Sequence, residues 1–207
     1  MSKSKTSNNA RTAEKERGRI VIFSAPSGCG KTTIVERLLK RHPDWVRSVS
    51  ATTRKPREGE KQGEDYFFVS EAEFKTMEQK GELLESASVF DHFYGTPKSF
   101  ILDHVQKGKI VVLAVDIQGT RSIRKVLADK MDLITIFILP PSVKVLRDRL
   151  EGRKTESPEQ VERRIQIAQE EIKEAGLYDF AVVNQNLDQT IVEIEEKIEK
   201  LMLERRK

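Results

Sequence analysis

The residues that could do chemistry begin at position 25, where the run APSGCGKTT places two glycines, a lysine and two threonines between a short apolar run, IVIF, and the helix-forming IVERLLKR. A strand, a glycine-bearing loop and a helix opening on Lys-Thr give the context of a phosphate cradle, the plainer alternative being a tight strand-to-helix turn with a surface lysine. Gly28 and Gly30 let backbone amides curl inward, and the helix N-terminus adds partial positive charge. The backbone of Ser27, Gly28, Cys29, Gly30, Lys31, Thr32 and Thr33 is then expected around the phosphates of ATP. Lys31 reaches the β and γ oxygens, and the Thr32 hydroxyl ligates Mg2+. Ala25 occupies the first glycine position of the usual GxxxxGK(S/T) pattern, and Cys29 reads as a small filler without a chemical role.

A second anion site is suggested further on. Arg54 and Arg57 flank Pro56 in SVSATTRKPREGEKQGEDYFF, with Tyr66 close behind. Two guanidinium forks in an irregular, glycine-punctuated chain suit a small phosphate dianion, although solvated surface charge is the plainer reading of arginines alone. Asp116 closes the apolar run KIVVLAVD. It is a candidate for a magnesium-bound water or a substrate group, and equally a cap for the helix IQGTRSIRKVL.

Taken together, APSGCGKTT, TTRKPREGEKQGEDYFF, LLESASVFDHFYGT, DIQG and LEGRKTE resemble the guanylate kinase family in order and spacing, from about residue 19 onward. The resemblance implies ATP-dependent phosphorylation of GMP, and of dGMP, to the diphosphate. It implies that Arg54, Arg57, Tyr66 and Tyr94 bind the GMP phosphate, that Ser50, Glu85 and Thr96 face guanine, and that Asp116 belongs to the same acceptor site. Lys31, Arg54 and the flap arginines Arg149, Arg153 and Arg164 would be the catalytic cations. By themselves Glu85 reads as a strand-end acid and Tyr94 as a core aromatic beside Phe90 and Phe93. Guanine offers N1–H and an exocyclic amine as adjacent donors to one carboxylate, whereas adenine has no proton at N1. A buried Glu85 left unpaired by adenine would disfavour AMP on the order of 10³.

Three positions depart from the family pattern. Ala114 replaces the first Asp of DxDxQG, Lys154 replaces a glycine after LEGR, and VNQN, with Gln185, replaces VNDD. The adenine-side contact carried over to Asn184 is weakened accordingly.

These residues need a scaffold, and the chain supplies its signals. The runs IVIF (20–23), KIVVLAV (109–115), LITIFIL (133–139) and FAVV (180–183) read as strands, each followed by something helical. That is an α/β architecture with a mainly parallel sheet, and the resemblance implies a three-layer fold of the P-loop kinase type. Val161, Ile165, Ala168 and Ile172 give a helical stripe over 158–175, and Leu187, Ile191, Ile194, Ile198 and Leu201 another over 187–207. The helix PKSFILDHVQK ends at Gly108. Residues 49–96, with strand-like YFFV and LLESASV around a short helix, read as an inserted mixed subdomain, which the resemblance implies binds GMP, and polar 149–164 as a mobile lid. The core comprises 19–48, 97–148 and 165–207.

Composition bounds the rest. The 207 residues suit one domain, with 37% apolar and 34% charged residues, and no apolar run approaches the ~18 needed to span a bilayer. The longest, 133–139, has strand length. The net charge of +4 resides in the first 19 residues, which hold six basic and two acidic side chains and leave 31 of each for the remainder. Residues 1–18 read as a disordered, basic, solvated tail, so nucleic acid is no expected partner beyond weak tail contacts, and membrane is none. One cysteine forms no internal disulfide, which fits a cytoplasmic location.

In-line transfer from ATP to GMP needs no general base, because a nucleoside monophosphate is already ionised near neutral pH. Two other readings remain open: a catalytically silent module that binds phosphopeptides at the old phosphate site, and a P-loop kinase for another phosphorylated acceptor.

Overall fold

The computed structural model describes residues 18–89, 92–152 and 157–205. The proposed tail apart from Gly18, together with Phe90, Arg153 and Lys154, lies outside the described residues.

Five parallel strands form the main sheet: β1 (Arg19–Ser24), β2 (Val46–Arg47), β7 (Ile110–Ala114), β8 (Leu133–Leu139) and β9 (Phe180–Val183), in the order β2-β7-β1-β8-β9. β1 lies at the centre and shows why these runs form strands buried on both faces. Its alternate residues Val21 and Phe23 enter one apolar cluster with Ile34, Leu38, Leu146, Ile165 and Ile194. Ile20 and Ile22 enter the opposite cluster with Ile101, Leu113, Ile123 and Leu127. The first cluster is covered by α1 (Lys31–Arg41), α5 (Val143–Glu151), α6 (Pro158–Ile172) and α7 (Leu187–Glu204). The second is covered by α3 (Lys98–Gln106) and α4 (Ile117–Leu127). Helices on both sheet faces give the expected three layers.

Local chemistry fixes the helix starts. Asp116, Ser142, Ser157 and Asn186 cap α4, α5, α6 and α7 by accepting from backbone N–H groups in the first turn. α1 differs: Gly30 precedes it in a left-handed conformation, with no side-chain cap.

A second sheet of four strands occupies most of the inserted region, ordered β4-β3-β6-β5. It comprises β3 (Ser50–Thr52), β4 (Tyr66–Phe68), β5 (Leu83–Val89) and β6 (His92–Pro97), with α2 (Glu71–Gln79) between β4 and β5. YFFV, LLESASV and the short helix match the sequence reading. β2, β3 and β6 lacked an apolar-run signal, being short or, in β6, HFYGTP, made largely of polar, aromatic and glycine residues.

Two boundaries differ from expectation. Gly18, assigned to the tail, is buried, and its N–H donates to the Val105 carbonyl at 3.1 Å. The stretch 149–164 contains the last turn of α5 and the first turns of α6, the latter as the helical stripe from 158 indicated. Similarly α6 stops at Ile172 and a 3-10 turn spans Lys173–Leu177.

Candidate active site

The loop after β1 runs under the free N-terminus of α1. Gly28 and Gly30 have φ of 91° and 90°, the left-handed region in which a side chain is strained. Gly30 is also constrained by contact, since a Cβ there would lie 2.5 Å from the Asn184 side-chain nitrogen. That amide donates to the Cys29 carbonyl at 2.8 Å, and Asn184 is buried. Asn184 therefore clamps the loop from β9's end, a role that the purine contact carried over by resemblance did not anticipate. Without a side-chain cap, the first amides of α1 remain available to an anion. Thr32 and Thr33 are exposed in that turn, Ser27 is exposed in the loop, and Cys29 is fully buried. Burial pushes the Cys29 thiol up to about 12, which agrees with an inert filler.

Lys31 turns inward. Its Nζ donates to the Val115 carbonyl at 2.7 Å, and the same carbonyl accepts from Ser24 Oγ at 3.0 Å. Burial depresses the Lys31 ammonium, with Asp116 and then Glu171 acting in the opposite sense. Asp116 caps α4, its Oδ1 accepting from the Gly119 N–H at 2.7 Å. Both suggested roles remain compatible, since its other oxygen has no protein hydrogen bond among the described residues. Glu171, near the end of α6, was not anticipated from sequence. Burial raises its carboxyl, Asp116 adds to the rise and Lys31 offsets it.

Two of the three arginines expected in the flap, Arg149 and Arg164, sit beside this loop. Arg149 Nη2 donates to the Asn184 carbonyl at 3.1 Å, and Arg164 Nη1 to Ser27 Oγ at 2.9 Å.

The acceptor residues converge on the second sheet. Ser50 pairs with Tyr66 across β3 and β4, and Thr52 with Tyr94 across β3 and β6. The Tyr66 and Tyr94 rings meet edge-on, with centroids 6.0 Å apart. Arg54 lies over the Tyr66 ring at 5.4 Å. Its Nη1 and Nη2 donate to the two Glu60 oxygens at 2.9 and 2.8 Å, while Glu60 Oε2 also accepts the Arg57 N–H at 2.7 Å. The Arg54 fork, with the Arg57 N–H, holds the Glu60 carboxyl down to about 2. The Arg57 side chain is exposed and free to meet a ligand.

Glu85 owes its aim to an irregularity. Between β5 and β6 the register shifts, so Leu84 and Glu85 stand opposite the single residue Thr96. Such a bulge re-aims a side chain. Leu84 packs into the core beneath the main sheet, and Glu85 Oε1 accepts from Thr96 Oγ1 at 2.6 Å. Glu85 Oε2 lies close enough to Gly119 that a Cβ there would stand 3.2 Å away. Burial raises the Glu85 carboxyl, partly countered by Thr96, with Asp116 adding to the rise.

One small cavity joins the halves. Ser48, Ser50, Tyr66 and Thr96 line it from one side, Ala114 and Val115 from the other. Ala114, which replaces an acid of the family pattern, is thus a small apolar wall, and Gln185 is exposed. The Ser48 hydroxyl is buried without a hydrogen-bond partner. Ser48, which lines this cavity, and Glu60, which pairs with Arg54, were not singled out from sequence, although both lie within the quoted segment.

A glycine loop at the carboxyl end of a central parallel strand, with an uncapped helix and an inward lysine, defines a P-loop nucleotide-binding protein. The comparisons narrow this class. The family model described as guanylate kinase matches residues 17–201. A guanylate kinase of Wolbachia sp. subsp. Brugia malayi (strain TRS) is 45% identical over 193 residues, covering 93% of this chain and 98% of that protein. A guanylate kinase of Caldanaerobacter subterraneus subsp. tengcongensis is 43% identical over 180 residues, covering 87% of this chain and 86% of that protein. The crystal structure of guanylate kinase from Anaplasma phagocytophilum superposes with a TM-score of 0.72 at 34% identity, covering 90% and 87% of the two chains. This chain belongs to the guanylate kinase family.

Proposed function

We propose that this protein transfers the γ-phosphoryl group of ATP to GMP, giving ADP and GDP, and accepts dGMP as well. The observation that carries this reading is the Val115 junction: its carbonyl holds Lys31, and its residue walls the cavity that the acceptor side chains also line. A donor phosphate on the loop and an acceptor phosphate near Arg54 and Arg57 would share that cleft.

The ATP phosphates would rest on the backbone of residues 27–33. Lys31, now held by a neutral carbonyl, gains a stronger charge-assisted partner when phosphate enters. The donor set fits magnesium that arrives with ATP: Thr32 is exposed in the cradle, and no group of three or more acidic, His or Cys residues among the described ones could hold a metal alone. Thr32 would hold the ion, with Asp116 near its water shell; when bound it neutralises charge on the β and γ oxygens. Arg54, Arg57, Tyr66 and Tyr94 would fix the GMP phosphate, with Ser50, Glu85 and Thr96 on guanine. Arg149 and Arg164, already beside the loop, and Arg153 would offset charge on the transferring group. Alignment and electrostatics then supply the catalysis.

In this reading residues 49–96 form the acceptor-binding unit and 149–164 the lid. Closure would unite the cations only when both substrates are present and keep water from the ATP. No helix among the described residues is long and apolar enough to cross a membrane.

An acceptor panel of GMP, dGMP, AMP, UMP and sugar phosphates, each with ATP and Mg2+, tests the assignment by product chromatography. GDP and dGDP should form, with AMP slower on the order of 10³. Preference for a different acceptor, or binding without turnover, would contradict it.

A further inference from the structure

The Arg54 guanidinium carries five N–H donors in a plane. Nη1 donates to the Lys55 carbonyl at 2.8 Å and to Glu60 Oε2 at 2.9 Å, Nη2 donates to Glu60 Oε1 at 2.8 Å, and the Tyr94 side chain is a further hydrogen-bond partner of the guanidinium. Glu60 thus occupies the end of the fork in bidentate fashion. Nε–H and the second Nη2–H lie together on one side edge, the two-donor edge that Glu60 does not occupy. Stacking over the Tyr66 and Phe68 rings fixes the guanidinium plane, and the side chain is only 12% exposed. Glu60 Oε2 also accepts the Arg57 N–H at 2.7 Å, which ties the second arginine to the same carboxylate.

We infer that Glu60 is a positioning residue for the acceptor phosphate: it fixes which edge of Arg54 is presented and holds the 54–60 turn that sets where Arg57 begins. The inference rests on the GMP reading above. Glu60 touches no substrate in this account, and its own charge repels the phosphate. Simple charge counting therefore gives the opposite expectation, because neutralising Glu60 leaves two cations unopposed and should tighten GMP. Positioning requires that it weaken GMP, since a guanidinium released from its partner loses the alignment that bidentate recognition of phosphate needs.

The test compares the wild type with Glu60→Gln and Glu60→Ala, alone and with Arg54→Lys. GMP kinetics at saturating ATP, guanosine binding by NMR titration and thermal melts are measured. Glu60→Gln should raise KM for GMP roughly tenfold through loss of one charge-assisted bond. Glu60→Ala should raise it at least as much. Guanosine affinity and the cooperative melt should stay as in wild type, because only the phosphate is misplaced. In the Arg54→Lys background, which has no fork to orient, Glu60→Gln should add almost nothing. An unchanged or lower KM for GMP, an equal loss for guanosine, a full cost in the lysine background or loss of the cooperative melt would each overturn the inference. Those outcomes leave the GMP assignment standing where the wild type still turns GMP over; a wild type inactive on GMP removes that assignment instead.

Discussion

Glu85 illustrates how a single residue converts burial into selectivity. Its carboxyl is raised chiefly by burial, so ionisation costs the empty protein free energy that adjacent guanine donors return. The sign follows from linkage: for an acid whose folded pKa is raised, stability is greatest with the proton on and declines as pH rises through that pKa. Guanine binding favours the ionised form, so affinity should rise with pH over the same interval. Guanosine is the ligand to use, because it has no phosphate to titrate. Its affinity should increase across an interval above the ordinary glutamate range, and Glu85→Gln should flatten the profile and narrow the GMP-to-AMP ratio. A flat wild-type profile, measured by NMR titration, would remove the guanine contact. At this scale the sequence offered candidates where residue type and spacing suggest chemistry, as at Lys31, Arg54 and Arg57. It was silent where the decisive fact is a contact between distant segments. Nothing in VNQN indicates that Asn184 reaches the Cys29 carbonyl, and nothing near position 171 indicates that Glu171 acts on Lys31.

At the scale of elements, the phosphate loop depends on its neighbours. Gly30 combines a positive φ with an Asn184 contact, and Asn184 in turn bridges the loop and Arg149 through its carbonyl. Gly30→Ala should destabilise the fold by about 1–3 kcal/mol and displace the loop. Asn184→Ala should cost about 1–3 kcal/mol through the unpaired Cys29 carbonyl. Both should raise KM for ATP and leave guanosine binding unchanged; thermal melts and kinetics check this, and an effect confined to GMP would contradict it. The long apolar strands were legible because burial on both faces leaves continuous apolar runs, as in β8. The acceptor sheet was legible only in part. Its β5 bulge is a matter of pairing between strands, and a bulge that presents Glu85 has no mark in LLESASV itself.

At the scale of the molecule, the two proposed anion sites lie on separate sheets that meet through β5, α4 and the start of α3. Leu84 enters the main core, Lys98 N–H donates to the Glu82 carbonyl at 2.8 Å, and Glu85 reaches the start of α4. In the proposed reading, the acceptor unit approaches the loop as substrates bind. The overall arrangement was readable from the order of strand and helix signals, whereas the contact through Leu84 depends on tertiary packing. A guanosine and an adenosine joined 5′ to 5′ through five phosphates would span both sites within one molecule. Isothermal titration with this compound tests the facing of the two sites most directly. One molecule should bind per chain, on the order of 10²–10⁴ tighter than either mononucleotide, since the second site is filled at high effective concentration. Lys31→Ala and Arg57→Ala should each weaken that binding. Affinity no better than that of ATP alone, or two molecules bound per chain, would contradict the account.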